Sequence, residues 1–258
     1  NENGYYLPVN VLDSDKANLS AKKLQSIYNN PPSNINHPWN LQAHLLADWI
    51  YDLCVTPKLL DAVEKVIGPN IFIQSADIFI KPAKGKKHIN WHQDANYWGL
   101  DPYELVTGWI AITDVNLDNG CMNYLPKSHL HQKIEHTETF DKNSDLTRGQ
   151  EINLEIKDKD IVPVILEKGQ AALHHCLLAH CSGPNKTNSA RIGIAVRYLP
   201  THVKQTKGPP ISMILARGVD EYKNFRMDEK PAGDFDSKSI AEHDKASSPH
   251  AASNYATS

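Results

Sequence analysis

Three residues of this chain have the types and the spacing of a metal site that leaves room for substrates. His92 and Asp94 are separated by one residue, Gln93, and His180 follows far downstream. On an extended strand, residues two apart point to the same face, so the first pair can reach one ion. Two imidazoles and one carboxylate on one face of an iron leave adjacent coordination positions open for substrate and oxygen. We therefore predict a non-heme Fe(II) oxygenase site.

Two further observations support this choice of residues. His180 is one of thirteen histidines, but it ends an apolar segment and is separated by only Cys181 from a Ser-Gly-Pro-Asn turn, where a barrel mouth is expected. Arg191 follows it at the start of an apolar strand. A guanidinium can bind a carboxylate through two parallel hydrogen bonds, as a dicarboxylate cosubstrate would require. His174 and His175 are interpreted as packing residues or as neighbours of the ligands. The alternative for Arg191 is a solvent-exposed position at a strand edge.

The overall composition limits the functions that this protein can have. The 258 residues are 40% hydrophobic and 22% charged, which is enough for one large domain with a sizeable core. A net charge of -3 gives no electrostatic reason to expect nucleic-acid binding. No apolar run approaches the length of a membrane span, and four cysteines without a CxxC pair indicate reduced thiols. We expect a cytoplasmic protein, monomeric or homodimeric, that acts on a small molecule.

The secondary structure predicted to position these residues changes at Gly68, from helices before it to strands after it. Apolar residues at helical spacing predict helices around Leu19 to Ile27, from Leu41 to Cys54, and from Pro57 to Ile67, with Thr56 as the cap and Val66 in the buried stripe. Beyond Gly68 the spacing changes to two, which indicates strands. The predicted strand segments are the isoleucine-rich run 71–80 and Val106–Ile112, Met122–Leu125, Val162–Leu166, Gln170–His174 and Ile192–Leu199.

Many short strands after a helical preface predict a mainly β fold, a cupin-like jelly roll (double-stranded β-helix) with the N-terminal helices packed outside. We interpret residues 1–258 as a single oxygenase domain. Residues 1–69 form its helical part, residues 70–200 its core, and residues 201–258 a C-terminal extension. The polar segment 131–160 is a candidate lid or insertion. The tail from about Ala232 is rich in Asp, Lys, Ser and Ala, and we expect its last residues to be poorly ordered.

Four stretches of the sequence, residues 79–100, 109–121, 125–129 and 180–198, together resemble the phytanoyl-CoA dioxygenase family. That family consists of oxygenases dependent on Fe(II) and 2-oxoglutarate, with O2 as the oxidant, built on a double-stranded β-helix. The resemblance is close over roughly residues 70–200. It implies that His92, Asp94 and His180 are the iron ligands. It also implies that Arg191 binds the distal carboxylate of 2-oxoglutarate.

The same resemblance implies further contacts to the cosubstrate, made by Ser182, Lys81, Thr107, Trp109 and Gln74. Lys81 is equally explained as an exposed residue at a strand end, and Trp109 almost equally as a packing residue. The chain departs from the family at Lys127, where the family usually has glycine in a Pro-Gly-Ser-His turn. We expect a local conformational change there and no loss of activity.

The carboxylate at Asp94 distinguishes two reaction types. Halogenating relatives carry Ala or Gly at this position, which frees a coordination site for halide, so hydroxylation is preferred here. The substrate is less clearly indicated. A basic run around Lys86 and Lys87 would suit a small anionic metabolite, and a phosphonate is one candidate, although a solvated turn explains the run better. The residues expected to contact substrate are His88, Asn90, Asn96, Tyr97 and Asn123.

Other functions remain open from the sequence. The same oxygenase chemistry could act on an acyl thioester or a natural-product intermediate. A non-catalytic jelly-roll binding protein would be expected to lack one of the four key residues, and all four are present. A zinc hydrolase built on the same three ligands would leave Arg191 without a role.

Overall fold

Two β-sheets form the centre of the molecule. A computed structural model describes residues 2–96, 98–146 and 149–255. The strands are β1 (Tyr5–Asn10), β2 (Ile71–Lys81), β3 (Ile89–His92), β4 (Leu100–Asp101), β5 (Val106–Ala111), β6 (Met122–Tyr124), β7 (His136–Thr137), β8 (Glu151–Ile152), β9 (Val162–Pro163), β10 (Gln170–His175), β11 (His180–Ser182), β12 (Arg191–Pro200), β13 (Lys204–Gln205), β14 (Ser212–Arg217) and β15 (Arg226–Met227).

The larger sheet has the order β1-β10-β5-β12-β2-β14-β15, and the smaller has the order β3-β11-β6-β9. All neighbours are antiparallel except β14 and β15. The inner faces of the two sheets share one apolar cluster, in which Trp109 and Ala195 of the larger sheet join Met122 and Tyr124 of the smaller. Two antiparallel sheets packed in this way are the double-stranded β-helix that the strand pattern predicted.

The helices are α1 (Ser14–Asn29), α2 (Asp48–Cys54), α3 (Pro57–Ile67) and α4 (Ser237–Tyr255). Helix α3 has proline at its first position, and Gly68 ends it at φ +88°, as the sequence predicted. Leu59, Leu60 and Val63 are buried against the outer face of the larger sheet. No helix among the described residues is long and apolar enough to span a membrane.

The N-terminal part differs from the helical prediction in two places. Residues 5–10 form strand β1, which pairs with β10 at the edge of the larger sheet. An edge strand tolerates Pro8, because one side of such a strand needs no backbone donor. The second helix is also shorter, because Gln42 is left-handed at φ +51° and a 3₁₀ turn, Ala43–Leu45, precedes α2.

Three smaller details were also predicted wrongly. Leu19 and Val66 are exposed. Thr56 stands at the predicted N-cap position of helix α3, but its hydroxyl donates to the carbonyl of Leu53 and makes no capping hydrogen bond. The strand expected over residues 162–166 is limited to Val162–Pro163. Beyond it, Leu166 forms only an isolated bridge with Val115.

The C-terminal extension contains a helix that the sequence pattern did not predict, while its last residues, 256–258, lie outside the described part of the chain. Helix α4 occupies residues 237–255, and Ile240, His243 and Ala246 are buried. The His243 ring nitrogen Nε2 lies 2.9 Å from the carbonyl oxygen of Leu41. Small buried residues let this helix pack closely although its composition is polar.

Candidate metal centre

Strand pairing brings the distant histidine to the local pair. His92 ends β3 and His180 begins β11, and the two residues are directly paired in the antiparallel register. Asp94 lies just past the end of β3, in a 3₁₀ turn (Asp94–Asn96), and not on the strand as the spacing argument assumed. The turn still directs its carboxylate to the two imidazoles. The three side chains are buried and form one group of potential metal ligands.

The distances between these ligand atoms suit one ion. Nε2 of His92 lies 3.6 Å from Oδ1 of Asp94, and Nε2 of His180 lies 3.9 Å from the same oxygen. Two N or O ligands bonded at about 2.1 Å to one metal can be at most about 4.2 Å apart. Two imidazoles and one carboxylate are also the ligand set of mononuclear non-heme iron. The residues present therefore fit a resident Fe(II).

The backbone fixes the orientation of both histidines. Nδ1 of His92 lies 2.9 Å from the carbonyl oxygen of Asn90, and Nδ1 of His180 lies 3.0 Å from that of Leu178. Because a carbonyl only accepts, each Nδ1 must carry the proton and each Nε2 is left free to bind a metal. Burial, together with the neighbouring imidazoles, holds the pKa of His180 well below its usual value. The neutral form, which a metal requires, is thus favoured.

The second oxygen of Asp94 is bound by neighbouring side chains. The Thr107 hydroxyl donates to Oδ2 at 2.9 Å, and Nε2 of His174 lies 3.6 Å from it. The Tyr124 hydroxyl lies 2.9 Å from Nδ1 of His174 and orients that ring. Burial opposes ionisation of Asp94, but the contacts with His174 and His92 lower its pKa well below the usual value. The carboxylate is therefore ionised and held in one orientation.

Gln93, between the two local ligands, was missed by the sequence analysis. It is fully buried, and its amide donates to the carbonyls of Gln132 and Leu177 at 2.9 and 2.7 Å. Its side-chain oxygen accepts from the backbone N–H of Ile134 at 2.8 Å. Gln93 thus fixes the ligand segment to the chain on both sides, including the start of segment 131–160.

The three ligands line a cavity of about 140 Å³ between the two sheets. Its walls carry both apolar side chains and two arginines. The lining residues are Phe79, Ile89, His92, Asp94, Trp98, Thr107, Trp109, Met122, Leu146, His174, His180, Cys181, Ser182, Arg191, Ala195 and Arg197. Of the residues predicted to contact cosubstrate, Arg191, Ser182, Thr107 and Trp109 are in this set.

Arg191 is 2% exposed and lies over the Trp109 ring, with 5.1 Å between its guanidinium carbon and the ring centroid. One nitrogen donates to the carbonyl of Gly120 at 2.8 Å, while buried Nε has no partner. The buried Ser182 hydroxyl on the same cavity wall also has no partner. Burial lowers the pKa of Arg191 to about 10, so it stays charged at neutral pH. A buried cation without a carboxylate is costly, and an anionic ligand would satisfy it.

Lys81 and Gln74 lie outside the cavity lining. The buried ammonium of Lys81 donates to the carbonyls of Lys87 and Gly183 at 3.0 and 2.7 Å, and burial followed by Arg191 lowers its pKa to about 8. It supports the turn that carries Ser182. Gln74 is buried on β2, where its side-chain oxygen accepts from the Ser75 hydroxyl at 3.3 Å.

Of the residues predicted to contact substrate, His88, Asn90 and Asn123 are not in the cavity lining. Nε2 of His88 is 3.2 Å from a carboxylate oxygen of Asp141, and Asn90 donates to the carbonyl of Gly149 at 3.1 Å. Asn123, on β6, is directed to Cys181, 3.9 Å from its sulfur. Tyr97 lies outside the described residues, and only the backbone of Asn96 is described.

Two residues of the basic run before β3, Lys87 and His88, contact carboxylates of segment 131–160. Lys87 pairs with Asp145 at 3.1 Å, and the neighbouring Lys84 donates to the carbonyl of Lys186 at 2.7 Å. Together with the contact between His88 and Asp141, these interactions tie segment 131–160 to the strand that carries His92. Inside the cavity, Arg191 has no carboxylate partner among the described residues, whereas Arg197 pairs with Asp77.

Lys127 takes the conformation that glycine favours. Its φ is +67°, in the left-handed region, and the turn continues into a 3₁₀ helix, Ser128–His131. The Lys127 backbone N–H donates to the carbonyl of Asn3 at 3.0 Å. The local conformational change expected for a non-glycine residue is thus absent at this position.

A double-stranded β-helix with two histidines, one aspartate and a buried arginine around one interior cavity is the arrangement of the non-heme Fe(II) oxygenases. The sequence pattern of the phytanoyl-CoA dioxygenase family matches residues 1–193. The chain belongs to this family of Fe(II)- and 2-oxoglutarate-dependent oxygenases.

Individual relatives agree with this placement. Human peroxisomal phytanoyl-CoA dioxygenase is 30% identical over 153 residues, which cover 58% of this chain and 45% of that protein. A probable alpha-ketoglutarate-dependent hypophosphite dioxygenase of Stutzerimonas stutzeri is 29% identical over 171 residues, covering 60% of this chain and 54% of that protein. The chain spans about half the length of the curated relatives it matches.

Two solved structures extend the likeness to the whole chain. The apo form of the non-heme monooxygenase ThoJ has a TM-score of 0.86 and 31% identity, covering 98% of this chain and 95% of that one. CytC3 with Fe(II) and alpha-ketoglutarate has a TM-score of 0.66 over 91% of this chain and 93% of that one. At 20% identity, that second likeness concerns the fold alone.

Proposed function

We propose that this protein is an Fe(II)- and 2-oxoglutarate-dependent dioxygenase that hydroxylates a small anionic metabolite. The single observation that carries the proposal is the buried Arg191, which has an unpartnered Nε and lines the same cavity as His92, Asp94 and His180. A metal site for hydrolysis does not need a second, buried cation. A cosubstrate with one carboxylate for the metal and one for the guanidinium needs both.

The residues have separate tasks in this reaction. His92, Asp94 and His180 hold the iron, which with 2-oxoglutarate and O2 supplies the oxidising chemistry that hydroxylates a C–H bond and releases succinate and CO2. Arg191 binds the distal carboxylate of 2-oxoglutarate, and the Ser182 hydroxyl is available to the same carboxylate. The apolar walls at Phe79 exclude water from the reacting atoms.

Hydroxylation is the reaction that Asp94 supports. Its carboxylate is buried, ionised and directed at the two imidazoles, so it occupies the position that a halogenating enzyme leaves for halide. The small cavity and its two arginines support a small anionic substrate. The likeness to a probable hypophosphite dioxygenase makes phosphorus oxyanions, including phosphonates, a reasonable class to examine first.

The test is the anaerobic addition of Fe(II) and 2-oxoglutarate to metal-free protein. Chelation of iron by 2-oxoglutarate gives a weak visible charge-transfer band, which we expect in the wild-type protein and not in His180→Ala. His202→Ala removes a partly exposed histidine that contacts Glu104, and it should keep the band. Candidate acids are then screened for a perturbed band and for succinate release in air.

Other outcomes would point to the alternative functions. A wild-type protein that binds iron without forming the band would contradict the cosubstrate assignment and favour a binding protein. Activity restored by zinc and indifferent to 2-oxoglutarate would indicate a hydrolase.

A further inference from the structure

A second arginine, Arg197, lines the cavity at some distance along the strand from Arg191. Alternate residues of β12 point to one face, and Arg191, Ala195 and Arg197 all line the cavity. The two arginines are six residues apart on the strand, so their Cα atoms are separated by about 20 Å at roughly 3.3 Å per residue. Arg191 pairs in register with Lys81, whereas Arg197 pairs with Thr107.

The Arg197 guanidinium is held rigidly by one of its nitrogens. NH1 binds Oδ2 of Asp77, and it lies 3.4 Å from the Ser75 hydroxyl. The guanidinium carbon is 6.0 Å from the ring centroid of Phe79 and 5.8 Å from that of Trp98. Contacts with aromatic faces and a carboxylate restrict the rotamers of the side chain, so its orientation is fixed in advance.

The opposite edge of the same guanidinium is unused. Nε of Arg197 is buried and has no hydrogen-bond partner, and the side chain as a whole is 11% exposed. A guanidinium carries five N–H donors, and its Nε edge can bind a planar or tetrahedral oxyanion with two parallel bonds. Asp77 binds NH1, so the Nε edge of this cavity-lining residue keeps its donor capacity for another ligand.

We propose that Arg197 binds the anionic group of the primary substrate. The inference rests on the proposed function, and it adds the residue and the chemical class: a carboxylate or a phosphorus oxyanion on a small molecule. The two arginines thus bind different molecules. Arg191, over Trp109, binds the 2-oxoglutarate cosubstrate, and Arg197, between Phe79 and Trp98, binds the primary substrate.

Position relative to the metal agrees with this division. Arg197 lies close enough to Asp94 to stabilise its negative charge, and Thr107, which pairs with Arg197, holds Oδ2 of Asp94. A substrate anchored at Arg197 would therefore lie on the side of the cavity that carries Asp94, with its charged group bound away from the reacting atoms.

A purely structural role is the competing explanation, because Asp77 and Arg197 join β2 to β12. The two explanations differ in what they require of the side chain. An ion pair across the strands is kept by Arg197→Lys, whereas two parallel bonds to an oxyanion are not. The lysine variant is thus the matched control for the fold, and Arg197→Met removes both functions.

The experiment uses the full chain loaded with Ni(II), which prevents turnover. Calorimetry first measures 2-oxoglutarate binding. Hypophosphite, methylphosphonate and propionate are then titrated into the protein saturated with 2-oxoglutarate, with sodium chloride at matched ionic strength as the blank. We expect at least one probe to bind the wild type, and Arg197→Lys and Arg197→Met to bind it at least tenfold more weakly. Their affinity for 2-oxoglutarate should stay within about twofold.

Arg191→Met should give the reverse result, with weakened 2-oxoglutarate binding and retained probe binding in the Ni(II) protein. The assignment of Arg197 would be overturned if the wild-type protein bound none of the probes. It would also be overturned if Arg197→Lys bound the probes as tightly as the wild type. Failure of 2-oxoglutarate to bind the wild type would count against the proposed function. The two failures are distinguishable because binding of 2-oxoglutarate and binding of the probes are measured in separate titrations, and each probe is titrated both with and without 2-oxoglutarate.

Discussion

Asp94 presents its two carboxylate oxygens to different partners. Oδ1 faces the two imidazoles, and Oδ2 accepts from Thr107 and faces His174. A carboxylate held in this way would offer an ion mainly Oδ1, because Oδ2 is already occupied by the Thr107 hydroxyl.

Thr107→Val tests this arrangement at the scale of one hydroxyl. Valine has nearly the same shape but leaves Oδ2 without its donor, and loss of such a supporting bond typically costs about 10- to 100-fold in metal affinity. We expect a weakening in that range for Co(II), measured by titration of its visible spectrum. Thr107→Ser should restore most of the affinity. Equal affinities in wild type and Thr107→Val would show that the hydroxyl does not position Asp94.

Arg191→Lys tests the anchor for the cosubstrate. Lysine keeps the positive charge but loses the planar fork, and its flexible ammonium cannot also bind the carbonyl of Gly120 in the same geometry. We expect the KM for 2-oxoglutarate to rise at least tenfold, measured by succinate release. Metal affinity should change little, because Arg191 is not among the metal ligands, and a large loss of metal would contradict the assigned role.

At the scale of elements, β12 carries both arginines and depends on its neighbour β5. Gly193 faces the Trp109 ring so closely that a Cβ would lie 2.0 Å from the ring atom Cζ2. The missing side chain makes room for the indole, and the indole in turn lies beneath Arg191. A packing contact between two strands therefore determines where the guanidinium stands.

Gly193→Ala should disturb both stability and cosubstrate binding. Overpacking of a closed core typically costs about 1–3 kcal/mol, and the displaced indole would move the support of Arg191. Urea denaturation measures the first effect, and titration of 2-oxoglutarate against the charge-transfer band measures the second. Gly183→Ala is the control, because nothing lies within 4 Å of a Cβ at that position. A variant with wild-type values in both experiments would show that Trp109 can move freely.

The sequence predicted the elements that have a clear period. Helix α3 and strands β2, β5 and β12 lie where their apolar spacing placed them. Strand β1 was not predicted because Pro8 interrupts its pattern. Helix α4 was not predicted because its buried face uses small and polar residues such as Ser239 and His243. Both elements are stabilised by packing against distant parts of the chain, which a local pattern does not contain.

The same distinction applies to the candidate site, where residues with a local sequence signal could be predicted and contacts between distant segments could not. The local spacing indicated His92 and Asp94, and the turn after His180 indicated the third ligand. Arg197 could have been found, because it shares a strand face with Arg191. The contact of His174 with Asp94 could not, since it depends on how β10 approaches the turn after β3. His174 was only expected to be a neighbour of the ligands or a packing residue.

For the molecule as a whole, a buried histidine links stability to pH. His44 is 1% exposed, its Nδ1 has no partner, and burial, with a smaller contribution from His243, lowers its pKa to about 3. In the unfolded chain a histidine titrates near pH 6.5. Below that pH the unfolded state binds a proton that the folded state refuses, so stability is lost as pH falls from about 6.5 toward 3.

We expect His44→Leu to reduce this dependence. Between pH 7.5 and 5.5, one histidine kept neutral in the fold contributes a loss of about 1.4 kcal/mol. The free energy of unfolding is measured by urea denaturation at both pH values. Its decrease from pH 7.5 to pH 5.5 should be smaller in His44→Leu than in wild type, by about 1.4 kcal/mol. His131→Ala, which changes an exposed histidine, should keep the wild-type dependence. Identical pH dependence in His44→Leu and wild type would contradict the role of His44.

The strand order also has a consequence for synthesis on the ribosome. Strand β12 pairs with both β2 and β5, and β11 supplies the partner of β3 beside His92. A nascent chain that has not yet emerged beyond residue 200 therefore exposes long apolar strand edges, which invite mispairing. The metal centre is completed only when the later strands arrive. Cotranslational folding of this protein is thus a late and concerted event, and holdase chaperones are expected to matter most just before β12 leaves the exit tunnel.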